Sequence, residues 1–142
     1  VLAHLGCQIT LLERNPLIAT LLQDALLRAK DNPDIHHIID RMTLHHTDSY
    51  SYLSTLVQRP DVIYIDPMYP SREKSALVKK DMRLLHQLAG PDTDSEQLLD
   101  LAREIALKRV VIKRPKTASF IGDQTPSSHI ESKNTRYDLY IV

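Results

Sequence analysis

An acid, a proline and a tyrosine follow an apolar run near the middle of the chain: Asp66, Pro67 and Tyr69 come directly after Val62–Ile65. The run predicts a short buried strand, and open α/β sheets place their chemistry at the carboxyl ends of strands. Asp66 can accept a hydrogen bond from an exocyclic amine, and Pro67 adds a carbonyl without a competing N–H donor. Tyr69 offers a flat face on which a base can stack. An amine held in this way is a target for an electrophilic methyl group.

The same residues also fit an ordinary turn. Asp-Pro often follows a buried strand, because an Asp side chain can bond to its own backbone there. The motif is short, so the rest of the chain must distinguish the two interpretations.

Composition points to one globular domain. The chain has 142 residues, of which 42% are hydrophobic and 25% charged, enough for one domain with a real core. Its 18 basic and 18 acidic residues cancel, so total charge does not indicate a nucleic-acid partner. The single cysteine, Cys7, excludes an internal disulfide and favours a reducing cytoplasm. Because we find neither a long apolar run nor a signal-peptide pattern, we expect a cytoplasmic protein without a membrane span.

Strand and helix patterns alternate along the chain. Predicted strands cover residues 7–12, 42–46, 62–65 and 110–112, and a hairpin pairs 129–132 with 137–142. Predicted helices begin at Pro16 with Asn15 as cap, cover 35–41, run for about ten residues from Ser49, pass through 82–88, and follow Asp94 or Ser95. This order predicts a Rossmann-like α/β fold, with a mostly parallel sheet and a C-terminal antiparallel hairpin, over one domain of residues 1–142.

Two helix faces are expected to be buried. The first helix carries an apolar stripe at i, i+4 spacing, formed by Leu17, Leu21, Ala25 and Ala29. The helix from Ser49 is expected to bury Tyr52, Leu53, Leu56 and Val57.

Three predicted strands end in acids, namely Glu13, Asp48 and Asp66. In a parallel sheet these ends lie along one edge, where one acid can hold the ribose hydroxyls of a nucleoside and the next can accept from an adenine amine. Each acid taken alone also fits the cap of the following helix.

Four segments resemble the bacterial ribosomal RNA small subunit methyltransferase J family, and the resemblance runs over essentially the whole chain. They are Leu5-Gly6-Cys7, Leu12-Glu13-Arg14-Asn15, Asp66-Pro67-Met68-Tyr69-Pro70 followed by Lys74-Ser75-Ala76-Leu77-Val78-Lys79-Lys80, and Lys108-Arg109-Val110-Val111-Ile112-Lys113-Arg114-Pro115. The resemblance implies S-adenosylmethionine-dependent methylation of the exocyclic N2 of a guanine in 16S rRNA of the small ribosomal subunit.

The resemblance also implies residue roles. A base pocket would be formed by Asp66, Pro67 and Tyr69. The cofactor would be bound by Glu13 at its ribose, by Asp48 and Ser49 near its adenine, and by Arg14 and Asp66.

The sequence departs from the family pattern in two places. Family members carry an upstream strand and glycine-rich turn that cradle the methionine end of the cofactor, whereas this sequence opens on residues typical of a helix end closed by Gly6. We therefore expect that a central strand is missing, and that the chain as written neither binds cofactor normally nor folds well alone. Met68 stands where the broader amino-methyltransferase pattern usually has a second proline. Because that pattern covers adenine, guanine and glutamine amines, the tetrapeptide does not identify which amine is methylated.

The expected chemistry is direct in-line methyl transfer. Asp66 and the Pro67 carbonyl would orient the amine, and a general base is not required. Basic residues on both sides of the predicted acidic helix 95–106 favour an RNA partner, although solvated surfaces explain them equally well. They are Arg72, Lys74, Lys79, Lys80, Arg83, Lys108, Arg109, Lys113, Arg114 and Lys116.

Other classes fit less well. The histidine pairs 36–37 and 45–46 are adjacent rather than i, i+4, which disfavours a metal site, and no Gly-x-Ser-x-Gly elbow supports a hydrolase. A non-catalytic RNA-binding module and an amino-methyltransferase for another base or a protein amide stay open as alternatives. We expect a monomer.

Replacing Tyr69 distinguishes stacking from hydrogen bonding. Tyr69→Ala should lower methyl transfer by about tenfold or more, whereas Tyr69→Phe should keep most of it, because stacking needs the ring and not the hydroxyl. The measurement is single-turnover methylation of 16S rRNA with the full-length protein. Equal losses in the two variants would assign the effect to the hydroxyl.

Overall fold

The computed structural model describes residues 1–67 and 94–142, which form two compact units. Unit 1 is Val1–Tyr52 and unit 2 is Leu53–Val142. Within the described residues, no helix has the length and apolar character needed to cross a membrane. The predicted helix through residues 82–88, and the basic segment before it, lie outside the described residues.

Unit 1 pairs two parallel strands. Its elements are β1 (Ile9–Glu13), α1 (Pro16–Lys30), α2 (His36–Ile39), β2 (Met42–His46) and the start of α3 (Ser49–Ser54). β1 and β2 run parallel, in a register that begins with Ile9 opposite Met42 and ends with Glu13 opposite His46. All five predicted elements of this unit are therefore present in the predicted order.

The turn before β1 is closed by Gly6, as predicted. The N–H of Gly6 donates to the Ala3 carbonyl at 3.1 Å, and the N–H of Cys7 donates to the Leu2 carbonyl at 3.1 Å. Gly6 has a φ of 96°, which a residue with a side chain rarely adopts. These two hydrogen bonds form the Schellman arrangement that ends a helical turn.

The start of α1 is also confirmed. Asn15 caps the helix, because its Oδ1 accepts hydrogen bonds from the N–H groups of Leu17 and Ile18 at 3.0 and 3.2 Å. The predicted buried stripe is wrong for much of its length, since Leu17 and Leu21 are exposed and Ala19 is the buried residue of α1. Within unit 1 the helix packs on a pair of strands and on α2, and this surface is too small to cover the whole stripe.

The helix α3 is shorter than predicted. It ends at Ser54; Leu53 is buried as expected, but Val57 is 98% exposed. The segment that follows is held instead by Arg59, whose guanidinium donates to the carbonyls of Glu104 and Ile105 at 2.7 Å. Arg59 thereby supplies donors to the last carbonyls of the helix Ser95–Ile105, where positive charge is favourable.

Unit 2 contains a mixed sheet. Its further elements are β3 (Val62–Ile65), α4 (Ser95–Ile105), β4 (Arg109–Pro115), a 3₁₀ turn (Ile121–Asp123), β5 (Ser128–Glu131) and β6 (Thr135–Ile141). The described strands lie in the order β3-β4-β6-β5. β3 and β4 are parallel, whereas β4 with β6 and β5 with β6 are antiparallel. The expected combination of parallel strands with a C-terminal hairpin is confirmed, and β6 is the hairpin strand that joins the rest of the sheet.

One face of this sheet packs against α4. The buried cluster consists of Leu99, Ala102, Ala106, Val110, Ile112, Ile121 and Tyr140. Ile63 and Ile65 of β3 pack against this cluster, but Val62 and Tyr64 of the same strand are exposed. β3 is therefore half-buried rather than fully buried as expected, because successive side chains of a strand point to opposite faces.

A buried ion pair lies on β6. Asp138 is 1% exposed and accepts two hydrogen bonds from the Arg136 guanidinium, at 2.6 Å from Nε and 2.9 Å from Nη2. The same guanidinium donates to the carbonyls of Lys116 and Ala118 and lies 4.7 Å from the centroid of the Phe120 ring. Hydrogen bonding to Asp138 raises the pKa of Arg136 further above its ordinary value. The pair ties the segment after β4 to β6.

Breaking this pair should destabilise the protein. Asp138→Ala leaves a buried guanidinium without its carboxylate, so we expect a loss of about 3–5 kcal/mol in the free energy of unfolding. Urea unfolding of the full-length protein measures it. Asp24→Ala is the matched control, because it removes an equally close but exposed Asp24–Arg28 pair and should change stability little. Equal shifts in the two variants would contradict the expectation.

Candidate active site

Asp66 lies where the sequence placed it, directly after β3. The strand register places Ile65 opposite Ile112, so the next residues, Asp66 and Lys113, are neighbours at the carboxyl ends of two parallel strands. The Lys113 Nζ donates to Asp66 Oδ2 at 2.8 Å. The exposed fraction of the side chain is 40% for Lys113 and 50% for Asp66. The pair is thus open to a ligand, and for the same reason adds little to stability.

Two phenols lie close to this ion pair. Tyr137 is the register partner of Lys113 on β6, and Tyr64 lies two residues before Asp66 on β3. Burial, and then the negative charge of Asp66, raise the pKa of Tyr64. The hydrogen bond from Lys113 to Asp66 raises the pKa of Lys113. The Tyr64 side chain is therefore a neutral hydrogen-bonding group at neutral pH, beside a Lys113 ammonium that stays charged.

The rest of the predicted base pocket is described only in part. Pro67 is buried directly after Asp66, in keeping with a carbonyl held on a fixed backbone. Tyr69, together with Met68, lies outside the described residues. The described half of the pocket is therefore the end of β3.

In unit 1, Glu13 and Asp48 follow adjacent parallel strands. Glu13 is the last residue of β1, and its carbonyl accepts from the Thr47 N–H at 3.0 Å, one residue before Asp48. The Glu13 side chain accepts at Oε1 from the Asn15 N–H at 2.7 Å. Because a carboxylate has about four lone-pair sites on its two oxygens, Glu13 still has acceptor capacity for a diol.

Asp48 acts as the cap of α3, as the alternative interpretation predicted. Its Oδ2 accepts from the Ser51 N–H at 2.8 Å. This hydrogen bond is the largest cause that lowers the pKa of Asp48, and the positive charge of Arg14 also contributes. The cap keeps Asp48 ionised and beside Ser49, the first residue of α3. The predicted set Glu13, Arg14, Asp48 and Ser49 therefore belongs to one end of the β1–β2 pair.

The basic segment around β4 differs from expectation. Lys108 and Lys116 pair with Asp61 and Glu131 at 2.8 and 2.6 Å. Lys113 pairs with Asp66, and Arg114 is buried and donates to the Ser119 carbonyl. Most of this positive charge is thus paired with acids or buried, and contact of this segment with RNA stays a prediction. The other predicted basic segment, residues 72–83, lies outside the described residues.

The structure adds Lys113 to the candidate residues. The sequence did contain a signal for it, because two apolar runs of adjacent parallel strands end in opposite charges, at Ile65-Asp66 and Ile112-Lys113. Recognising it required the register between residues 47 positions apart. Within residues 1–67 and 94–142, His, Cys, Asp and Glu form no group of three that could hold a metal ion.

Comparison with known proteins agrees with these features. The whole chain, residues 1–142, matches the profile of a family described as "Putative SAM-dependent methyltransferase". Ribosomal RNA small subunit methyltransferase J of Aeromonas salmonicida is 49% identical over 143 residues, which cover 100% of this chain and 57% of that protein. The protein of the same name from Hydrogenovibrio crunogenus is 50% identical and covered to 52%. The chain therefore spans a little over half the length of these curated relatives.

A solved structure shows the same fold. The crystal structure of a SAM-dependent methyltransferase from Neisseria gonorrhoeae superposes with a TM-score of 0.78 at 35% identity, covering 99% of this chain and 55% of that one. Together with the profile match over the full chain, this confirms the resemblance inferred from the sequence motifs. The chain belongs to this family of S-adenosylmethionine-dependent methyltransferases.

Proposed function

We propose that the protein methylates the exocyclic N2 amine of a guanine in 16S rRNA of the small ribosomal subunit. The observation that carries the proposal is the Asp66 carboxylate at the open carboxyl end of β3, followed by the buried Pro67, in a chain about half identical to small-subunit rRNA methyltransferases. Acceptor groups at that position suit an amine substrate. We propose that it acts as a monomer in the cytoplasm, on RNA and without a metal.

The residues at the end of the β1–β2 pair fit the nucleoside part of the cofactor. Bound S-adenosylmethionine supplies an electrophilic methyl group. Glu13 would accept hydrogen bonds from the ribose hydroxyls, and Asp48 with Ser49 would lie near the adenine. The positive charge of Arg14 helps to lower the pKa of Asp48, which keeps that carboxylate ionised as an acceptor.

Asp66 and Pro67 would hold the amine. The N2 lone pair of guanine is delocalised into the ring, so the amine is a weak nucleophile. Accepting its N–H groups at Asp66 and at the Pro67 carbonyl would orient the nitrogen and stabilise the positive charge that develops on it. As the new N–C bond forms and the methyl–sulfur bond breaks, the demethylated cofactor would leave as a neutral thioether. The extra proton on the nitrogen would pass to Asp66 or to water. The resemblance implies that Asp66 also contacts the cofactor. The guanine has to leave its stack to reach these groups, with Tyr69 replacing the lost stacking.

The direct test is product analysis. Full-length protein, 16S rRNA or small subunits, and methyl-labelled S-adenosylmethionine should give N2-methylguanosine after nuclease digestion and mass spectrometry. Label in another nucleoside would favour an amino-methyltransferase for a different base. Cofactor-independent RNA binding without any labelled product would favour the non-catalytic module.

Asp66→Ala should abolish methyl transfer while leaving cofactor affinity nearly unchanged, because the carboxylate contacts mainly the acceptor amine. Single-turnover rates and calorimetric dissociation constants measure the two effects. Asp61→Ala is the matched control, since Asp61 makes the same 2.8 Å contact with a lysine at the other end of the strand pair. Lost cofactor binding with residual turnover would argue against this role of Asp66.

Glu13→Ala should raise the cofactor dissociation constant by about tenfold or more, because charge-assisted hydrogen bonds to the ribose are lost. Glu13→Gln should lose less, since the amide oxygen can still accept from the Asn15 N–H and from one hydroxyl. Isothermal titration calorimetry compares the variants. An unchanged constant in Glu13→Ala would remove this residue from the cofactor site.

A further inference from the structure

Two lysine–aspartate pairs lie at opposite ends of the parallel strands β3 and β4. At the amino end, Lys108 contacts Asp61 at 2.8 Å, and at the carboxyl end Lys113 contacts Asp66 at 2.8 Å. In both pairs the carboxylate comes from the β3 side and the ammonium from the β4 side. The two pairs have the same residue types and the same N–O distance, so they differ mainly in where they lie on the sheet.

The surroundings differ in two ways. The Lys108–Asp61 side chains are 63% and 64% exposed, whereas those of Lys113 and Asp66 are 40% and 50% exposed. The carboxyl-end pair also has two phenols as neighbours, since Tyr64 and Tyr137 both contribute to the electrostatic environment of Lys113. The carboxyl-end pair is thus less exposed and lies at the edge where α/β sheets bind ligands.

The contact restricts the Asp66 side chain. An unpaired carboxylate on an exposed strand end samples several rotamers, and each presents its oxygens in a different direction. Lys113 donates to Oδ2, which narrows the set of Asp66 rotamers and leaves the acceptor sites of Oδ1 for a ligand. The hydrogen bond raises the pKa of Lys113, so the charged form that makes the contact dominates at neutral pH and is lost only above the ordinary lysine range.

We infer that Lys113 is a positioning residue, which holds the Asp66 carboxylate so that its second oxygen accepts the substrate amine. This inference rests on the proposed function, because it assigns the orientation of Asp66 to a residue on the neighbouring strand. Lys113 does not contact the substrate itself. Its contribution is to the geometry of the amine at the moment of transfer, and geometry affects turnover more than ground-state binding.

The test compares Lys113→Met, Lys113→Arg and Asp61→Ala in the full-length protein. We expect Lys113→Met to lower kcat by about tenfold or more, with an unchanged dissociation constant for S-adenosylmethionine and little change in KM for 16S rRNA. Lys113→Arg should recover most of the rate, because a guanidinium can still donate to Oδ2. Asp61→Ala removes the amino-end pair and should keep the wild-type kcat.

Three results would overturn the inference. One is an equal kcat in Lys113→Met and Asp61→Ala. A second is a rate loss that Lys113→Arg does not recover and that follows the loss in melting temperature, which would mean a structural contribution only. A third is a raised KM for RNA at unchanged kcat, which would make Lys113 a phosphate contact.

Failure of the proposed function would look different, because the wild-type protein would then give no N2-methylguanosine. In that case the pKa of the Lys113 ammonium, measured by ¹⁵N NMR in the wild type and in Asp66→Asn, still shows whether Lys113 and Asp66 are in contact. A pKa that falls in Asp66→Asn supports the positioning contact in solution. A pKa that is the same in both proteins overturns it.

Discussion

The register between β3 and β4 determines where the Asp66 carboxylate lies. Val110 and Ile112 are fully buried against Leu99 of α4, so β4 cannot slide without moving these side chains into water. β3 pairs with β4 along its whole length, and the first residue after it is Asp66. A carboxylate on a loop would need further contacts to hold its backbone in place, whereas the backbone of Asp66 is held by the packed sheet.

Alternation along the strands separates packing from chemistry. Ile63 and Ile65 face the buried cluster, while Tyr64 and Asp66 belong to the other face of β3. Across the sheet, Lys113 shares the face of Asp66 and pairs with Tyr137. One face therefore supplies the hydrophobic free energy, and the opposite face carries ionisable and aromatic groups near the strand end. A substitution on either face can then be assigned to stability or to activity in advance.

Two ion pairs of unit 2, Arg136–Asp138 and Lys113–Asp66, differ in what they contribute. Asp138 is almost completely buried, so its bidentate contact with Arg136 compensates a large desolvation cost and holds the segment after β4 in place. The pair between Lys113 and Asp66 is largely solvated and contributes little to folding. An exposed pair that adds little to stability, yet lies at the carboxyl end of adjacent strands, is better explained by orientation of a side chain than by the energy of the contact.

The sequence by itself determined the features that depend on neighbouring residues. Asn15 as a cap, Gly6 at positive φ, the strand before Asp66 and the C-terminal hairpin all follow from interactions within a few positions, and family motifs indicated the chemistry. The tertiary structure decided what depends on which elements meet. It exposed the apolar side chains of α1, buried Asp138, and joined Lys113 to Asp66 across 47 positions. Burial and ion pairing of this kind depend on strand register and on the surface available for packing, and local patterns of residues do not contain that information.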